Sequence, residues 1–171
     1  IGSHALATAE FEGGNSIYEA VVDVASPLPR NADQWSQVIT RALDGQGLRL
    51  GSFPVLDTCG RLSHRESPLR LLTTENGEWL TAGSFLPIAE RLKLTPALDL
   101  AAVTLGLQDL RSEPELAGLA INISASSVAN ASFRERLLHL LGVHAEESSR
   151  LWLEISESGA LRHLAAFREL C

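Results

Sequence analysis

Three oxygen-bearing side chains, Glu66, Asn122 and Glu154, lie on three successive predicted strands of this sequence. Carboxylate and amide oxygens are hard ligands that favour Mg²⁺, Mn²⁺ or Ca²⁺ over Zn²⁺. If the strands are neighbours in a parallel sheet, the three side chains converge near its carboxyl edge, where sites form in barrels and open sheets alike. The alternative is an ordinary structural contact for each residue, which is the commoner role of a single polar group at a strand end.

The segment 61–72 also carries unusual chemistry for a strand. His64, Glu66, Pro68 and Arg70 share one face of it, because side chains alternate along a strand. Pro68 cannot donate a hydrogen bond to a sheet ladder, so it indicates a bulge or a strand end.

Histidine and tryptophan side chains elsewhere in the pattern show no spacing that indicates a site. His64, Trp79 and Trp152 are therefore assigned to packing or to the surface.

The elements that must position these residues follow from hydrophobic periodicity. An amphipathic helix is predicted within 31–46, with Asp33 as N-cap and Gly45 as a left-handed stop. Alternating elements follow, namely strands over Leu48–Leu56, Arg61–Leu72, Leu119–Ser124 and Leu151–Ser156, and helices over Gly83–Lys93, Thr95–Leu110, 132–142 and Ala160–Leu170. This alternation predicts parallel pairing, and both a doubly wound sheet and a barrel fit the periodicity.

Composition excludes several classes of protein. The chain has 171 residues, a net charge of -7 and no apolar run long enough to span a membrane. Its 14 Lys and Arg residues are scattered, which argues against DNA, RNA or an anionic membrane as partner but leaves room for a small anion. Cys59 and Cys171 belong to no metal-binding or disulfide pattern, which favours a reducing, cytoplasmic setting.

Five phrases in order carry a resemblance to a known family. They are LRLGSFPV at 48–55, ESPLR at 66–70, SFLPIAE at 84–90, NIS at 122–124 and EISES at 154–158. Together they resemble the first half of an EAL domain, a family that hydrolyses or senses cyclic di-GMP. The resemblance implies an α/β fold, the N-terminal half of a modified (β/α)8 TIM-type barrel.

The resemblance also implies roles for individual residues. Glu66, Asn122 and Glu154 match metal ligands of the family, which would hold Mg²⁺ or Mn²⁺ if the protein is active. Arg70 matches an arginine that contacts a ligand phosphate, and Glu157 matches a glutamate that couples the site to dimerisation. The implied ligand-binding residues are Phe53, Glu66, Pro68, Arg70, Asn122 and Glu157.

The same resemblance divides the chain into three parts. Residues 1–30 are expected to hold the tail of a GGDEF-like domain and a linker. The segment Ala5–Asp23 resembles the GGDEF tail, and Ile17–Val24 is predicted to be a short strand or a helix end. Residues 31–46 form the connecting helix, and residues 47–171 the N-terminal part of the EAL domain.

Departures from the family pattern decide the expected function. The motif that gives the family its name reads Glu-Ser-Pro here instead of Glu-Ala-Leu. In addition, Phe53 replaces the glutamine usual in the family, and Ser156 replaces a threonine. The family barrel needs about 240 residues. The resemblance therefore implies that the paired aspartates, the further acidic ligands and the lysine that positions or activates the attacking water are not in this sequence, and this chain alone should not catalyse. Half a barrel would also leave an open wall, which either further residues or a second copy would cover.

These departures are similar to those of degenerate, LapD-type receptors, which are inner-membrane proteins with cytoplasmic GGDEF and EAL modules. We therefore expect a cyclic di-GMP receptor that needs no cofactor and forms a homodimer through its EAL domain. The first alternative is that the intact protein is a cyclic di-GMP phosphodiesterase with Mg²⁺ or Mn²⁺. The second is an interaction domain that binds no nucleotide.

Overall fold

A computed structural model describes residues 28–45, 47–74 and 77–170 of the chain. The expected GGDEF-like segment Ala5–Asp23 and the expected element at Ile17–Val24 lie outside these residues. Within the described ranges, no helix has the length and apolar character needed to cross a membrane.

The described residues form seven strands and eight helices. In chain order they are α1 (Ala32–Asp44), β1 (Leu48–Leu50), β2 (Phe53–Leu56), β3 (Leu62–Glu66), β4 (Leu69–Leu72), β5 (Trp79–Thr81), α2 (Ala82–Arg91), α3 (Thr95–Ser112), β6 (Leu119–Asn122), α4 (Ala125–Ala129), α5 (Ala131–Val143), α6 (Ala145–Ser148), β7 (Leu151–Glu154), α7 (Glu157–Arg162) and α8 (Leu164–Leu170).

The strands form two sheets. A four-stranded sheet has the order β2-β3-β6-β7, in which β3, β6 and β7 run parallel and β2 is antiparallel to β3. A three-stranded antiparallel sheet has the order β1-β4-β5. Parallel strands joined through helices give the mixed α/β architecture expected for the first part of a TIM-type barrel.

The prediction of parallel pairing throughout is wrong for three pairs, β1 with β4, β2 with β3 and β4 with β5, which are antiparallel. Segments 48–56 and 61–72 form one antiparallel hairpin, because the turn between them is too short for a parallel crossover, which needs about a dozen residues. Asp57 stabilises this turn by accepting hydrogen bonds from the backbone N–H groups of Cys59 and Arg61 at 2.8 and 3.0 Å. Gly60 adopts the positive φ of 75° that the turn requires.

The hairpin changes sheets where Pro68 lies. Each arm, predicted as one strand, is divided in two, and Pro68 falls in the gap between β3 and β4, which confirms that it marks a strand end. The backbone N–H of Gly51 donates to the Pro68 carbonyl at 2.8 Å. A Cβ added at Gly51 would lie 3.2 Å from the Phe53 ring and 3.3 Å from the Pro68 ring, so the bend depends on a residue without a side chain.

The core lies between β6 and α3. Leu119 and Ile121 point from β6 towards α3, where Gly106 lets the helix approach closely, since a Cβ there would lie 3.2 Å from Leu119. The predicted burial of α3 is confirmed by Leu98, Val103 and their neighbours, which are almost fully inaccessible.

Helix ends depart from the sequence predictions. Asn31, and not Asp33, caps α1 by accepting a hydrogen bond from the Gln34 N–H at 2.9 Å. Gly45 follows α1 with φ of -139°, which is extended and not left-handed. The helix predicted over Ala160–Leu170 is two helices, α7 and α8, with a break at His163.

One arginine joins the end of α3 to the start of β7. The Arg150 guanidinium donates to four backbone carbonyls, those of Leu110, Glu113, Pro114 and Leu116, at 2.8 to 3.2 Å. It thereby satisfies the Leu110 carbonyl in the last turn of α3 and holds the loop that follows the helix.

We expect Arg150→Ala to lower the free energy of unfolding by about 2 kcal/mol, because two partly buried and two exposed carbonyls lose a charged donor. Urea denaturation measures the effect. Arg168→Ala, which removes an exposed arginine from α8, is the control and should change stability by less than about 0.5 kcal/mol. Equal effects of the two substitutions would contradict this role of Arg150.

Candidate functional site

The three predicted oxygen donors end three adjacent strands. Glu66, Asn122 and Glu154 are the last residues of β3, β6 and β7. Asn122 pairs with Glu154 in the register, while Glu66 pairs with Ala120. Because carboxyl ends of neighbouring parallel strands meet at one edge, the strand order brings the three residues to a shared edge of the sheet.

A histidine that the sequence analysis assigned to packing belongs to the same edge. Three potential metal-ligand atoms lie within 4.8 Å of one another, namely a ring nitrogen of His64 and one carboxylate oxygen each of Glu66 and Glu154. His64 is buried, with 9% of its surface exposed, whereas Glu66 is exposed. The signal that could have identified His64 is its place two residues before Glu66, on the same strand face.

The His64 ring is fixed by its neighbours. It stacks on Trp152 with 4.3 Å between ring centroids, and its Nδ1 lies 3.3 Å from the Ser63 hydroxyl oxygen. Gly118 makes room for the stack, since a Cβ there would lie 3.3 Å from His64 Cβ and 3.4 Å from Trp152 Nε1. Trp152 was also assigned to packing or surface, and its place two residues before Glu154 puts it on the same face of the sheet.

Phe53, Pro68 and Arg70 form a second group beside Glu66. Phe53 pairs with Glu66 across β2 and β3, and half of its surface is exposed. The Arg70 guanidinium lies 5.8 Å from the centre of the Phe53 ring. Pro68 joins them through the close contacts around Gly51 described above.

Two arginines stand side by side in the three-stranded sheet. Arg49 pairs with Arg70 across β1 and β4, and its guanidinium lies 4.1 Å from the centre of the Trp79 ring. Like charges directly opposite one another are unfavourable unless an anion or a carboxylate lies between them. In the part of the chain that the structure describes, neither Arg49 nor Arg70 forms an ion pair, whereas Arg65 binds both carboxylate oxygens of Glu113 at 2.8 and 3.1 Å.

The remaining predicted residue, Glu157, lies beyond β7. It is the exposed first residue of α7, whose N-cap Ser156 accepts a hydrogen bond from the Gly159 N–H at 3.3 Å. No ion pair or hydrogen bond between described residues joins Glu157 to the other predicted site residues. Asn122 and Glu154 also line a pocket that continues towards Ser156 and Phe167.

A buried acid supports the loop after Asn122. The Asp99 carboxylate, on α3, accepts a hydrogen bond from the Ser124 backbone N–H at 2.8 Å. Burial raises the pKa of Asp99 from 3.8 to about 6, and the hydrogen bond from the Ser124 N–H partly opposes this shift. Sequence analysis missed Asp99, although an acid within a helix that is apolar on nearly every side is a detectable signal.

Comparison with known sequences identifies one family. A sequence model of the EAL domain matches residues 36–171. The chain is 30% identical over 129 residues to the cyclic di-GMP phosphodiesterase PdeF of Escherichia coli K12, a match that covers 74% of this chain and 17% of that protein. It is 27% identical over 173 residues to an uncharacterized protein of Mycobacterium tuberculosis, covering 96% of this chain and 27% of that one. The chain therefore spans about a quarter or less of these relatives.

Comparison with solved structures supports the barrel-type fold. The EAL domain of Xanthomonas citri FimX, in complex with cyclic di-GMP, superposes with a TM-score of 0.70 at 26% identity, over 81% of this chain and 55% of that one. The PaMucR phosphodiesterase in complex with cyclic di-GMP gives 0.69 at 28% identity, over 80% and 57%. Vibrio cholerae LapD, bound to cyclic di-GMP, gives 0.84 over 99% and 41%, but at 21% identity this shows the fold alone.

The raised pKa of Asp99 has a consequence for stability. The folded state favours the protonated form of the Asp99 side chain. The resulting contribution to the free energy of unfolding is therefore fully present below about pH 4 and is lost as the pH rises through about 6. Asp99→Asn cannot ionise, so its stability relative to the unsubstituted protein should rise by about 2 to 3 kcal/mol between about pH 4 and about pH 7. Urea denaturation across this range measures the difference.

Asp33→Asn, at an exposed position of α1, is the control for this experiment. Its stability relative to the unsubstituted protein should not follow the Asp99→Asn profile. A flat profile for Asp99→Asn would show that burial does not raise the pKa of this carboxyl group.

Proposed function

The chain belongs to the EAL domain family, and we propose that it is a cyclic di-GMP receptor module that binds the dinucleotide without hydrolysing it. The observation that carries this proposal is Arg70, whose guanidinium lies beside Phe53 and has no carboxylate partner among the described residues. A guanidinium with free donors is well suited to a phosphate group.

The surroundings of Arg70 fit a dinucleotide. Cyclic di-GMP offers two phosphates and two guanine bases, and Arg49, which pairs with Arg70 in the register of β1 and β4, provides a second guanidinium. The half-exposed Phe53 ring offers a surface on which a base can stack. The FimX and MucR structures are both described as cyclic di-GMP complexes, at 26% and 28% identity, which supports the same ligand class here.

The proposed absence of turnover is based on Phe53, the residue that pairs with Glu66. Phe53 occupies the position opposite Glu66 in the register. An aromatic ring there cannot donate or accept the hydrogen bonds with which a polar side chain would orient a ligand or a water molecule. This local loss of polarity supports a receptor that retains binding but not hydrolysis.

We also propose that the nucleotide shifts a homodimer equilibrium of the EAL domain. Glu157 is exposed at the start of α7, directly after the strand that ends in Glu154. A ligand that contacts Glu154 at the end of β7 would therefore lie three residues along the chain from Glu157, which is exposed to a second copy of the domain. In this proposal the chain is a cytoplasmic module, whose parent protein is anchored in the inner membrane through other segments.

The alternative function is phosphodiesterase activity of the intact protein. Its support is the name of the PdeF relative and the shared edge that holds Glu66, Asn122 and Glu154. Two carboxylates and an amide oxygen fit Mg²⁺ or Mn²⁺, because these ions prefer hard oxygen ligands. A metal bound there would supply Lewis-acid activation of a phosphate. In this function, Arg70 would hold the phosphate while Glu66, Asn122 and Glu154 hold the metal.

A titration followed by a turnover assay distinguishes these functions. Cyclic di-GMP is titrated into the intact protein by calorimetry, and the mixture is then incubated with Mn²⁺ and analysed by chromatography for linear product. The receptor proposal predicts saturable binding with no product. Binding with product would establish the phosphodiesterase, and absence of binding would leave an interaction domain without a nucleotide ligand.

We expect Arg70→Ala to weaken cyclic di-GMP binding by about 1 to 3 kcal/mol, or about 5- to 150-fold, because a charge-assisted phosphate contact is lost. Calorimetry on the intact protein measures the change. Arg111→Ala removes the same charge from an exposed position of α3 and should leave the affinity within about twofold. Unchanged affinity in Arg70→Ala would count against the assignment of Arg70.

A further inference from the structure

The cluster of His64, Glu66 and Glu154 differs in chemistry from a site made only of oxygen atoms. One ligand atom from each of the three lies within 4.8 Å of the others. Among the described residues, no ion pair neutralises Glu66 or Glu154. Two carboxylates held this close repel each other unless a cation lies between them.

We infer that His64 is a nitrogen ligand of a divalent metal site formed with Glu66 and Glu154, and that this site selects Co²⁺ or Zn²⁺ over Mg²⁺. The inference does not depend on nucleotide binding, since it concerns the metal alone. It adds a residue to the site which the sequence pattern did not indicate.

The environment of His64 supports this role, because the ring is held in place. It is stacked on Trp152 at 4.3 Å over the space left by Gly118. The Ser63 hydroxyl oxygen lies 3.3 Å from Nδ1, which leaves Nε2 as the nitrogen available to a metal. A metal-binding histidine is commonly oriented in this way by a contact to its other ring nitrogen.

The ligand atoms need only a small adjustment to bind one ion. Transition metals bind imidazole nitrogen and carboxylate oxygen at about 2.0 to 2.2 Å. In a tetrahedral site the ligand atoms are therefore about 3.4 Å apart, so the three atoms, which lie within 4.8 Å of one another, bind one ion after small side-chain rotations. Asn122, which pairs with Glu154 in the register, adds an amide oxygen at the same edge.

The presence of imidazole determines which metals the site prefers. Mg²⁺ takes oxygen ligands almost exclusively, whereas Co²⁺ and Zn²⁺ accept imidazole together with carboxylates and bind mixed sites more tightly. The side chain at position 64 therefore sets the preference between these ions, while Glu66 and Glu154 serve either class.

Metal titrations of the intact protein without nucleotide test the inference. Co²⁺ binding is followed by its visible absorption and by quenching of tryptophan fluorescence, and Trp152→Phe identifies the part of the quenching that arises next to His64. Mg²⁺ binding is measured by its competition with Co²⁺. We expect Co²⁺ to bind more tightly than Mg²⁺, with an absorption spectrum that indicates a nitrogen ligand.

His64→Ala should lower the Co²⁺ affinity at least about tenfold and leave the Mg²⁺ affinity within about twofold, because only the nitrogen ligand is lost. His64→Gln keeps a side chain beside Trp152 and serves if His64→Ala fails to fold. His139→Ala, at an exposed position of α5, is the matched control and should change neither affinity.

Three results would overturn the inference. They are no Co²⁺ binding by the unsubstituted protein, equal Co²⁺ and Mg²⁺ affinities, and equal losses of both affinities in His64→Ala and His64→Gln. The last result would mean that His64 only supports the fold of the edge.

Discussion

Parallel hydrogen bonding holds β6 between β3 and β7, and the positions of Glu66, Asn122 and Glu154 follow from this pairing. The pairing is stabilised from behind by α3, which packs against β6 through the space at Gly106. Asp99, on the same helix, holds the backbone immediately after β6 through Ser124. The helix that fills the core therefore also fixes the edge on which the candidate site lies.

The site separates its charges along this edge. Carboxylates of Glu66 and Glu154 lie on the parallel side, and the guanidinium groups of Arg49 and Arg70 lie on the antiparallel side. Phe53 stands between them, as it pairs with Glu66 and contacts Arg70. An anionic ligand with flat bases can use both sides at once, through phosphate contacts to the arginines and stacking on the ring. A cation on the carboxylate side would further favour the same ligand.

Sequence alone indicated much of this arrangement, for identifiable physical reasons. The missing N–H of Pro68 predicted the strand end that the structure shows. The single strand face predicted for Glu66 and Arg70 is wrong, because the break at Pro68 puts Glu66 on β3 and Arg70 on β4, in different sheets. The antiparallel hairpin was missed because hydrophobic alternation does not specify strand direction. The short β5 was missed because three residues are too few to show a period. The spacing of His64 from Glu66 was visible in the sequence, but its proximity to Glu154, 90 residues away, follows only from the β3-β6-β7 order.

A crystal structure of the intact protein with bound cyclic di-GMP tests the central claim most directly, which is that both sides of this edge form one ligand site. The expected structure has a phosphate oxygen within hydrogen-bonding distance of Arg70, a guanine against Phe53, and Glu66, Asn122 and Glu154 around the same cavity. Dinucleotide bound to another face of the domain, with Arg70 free of phosphate, would contradict the claim.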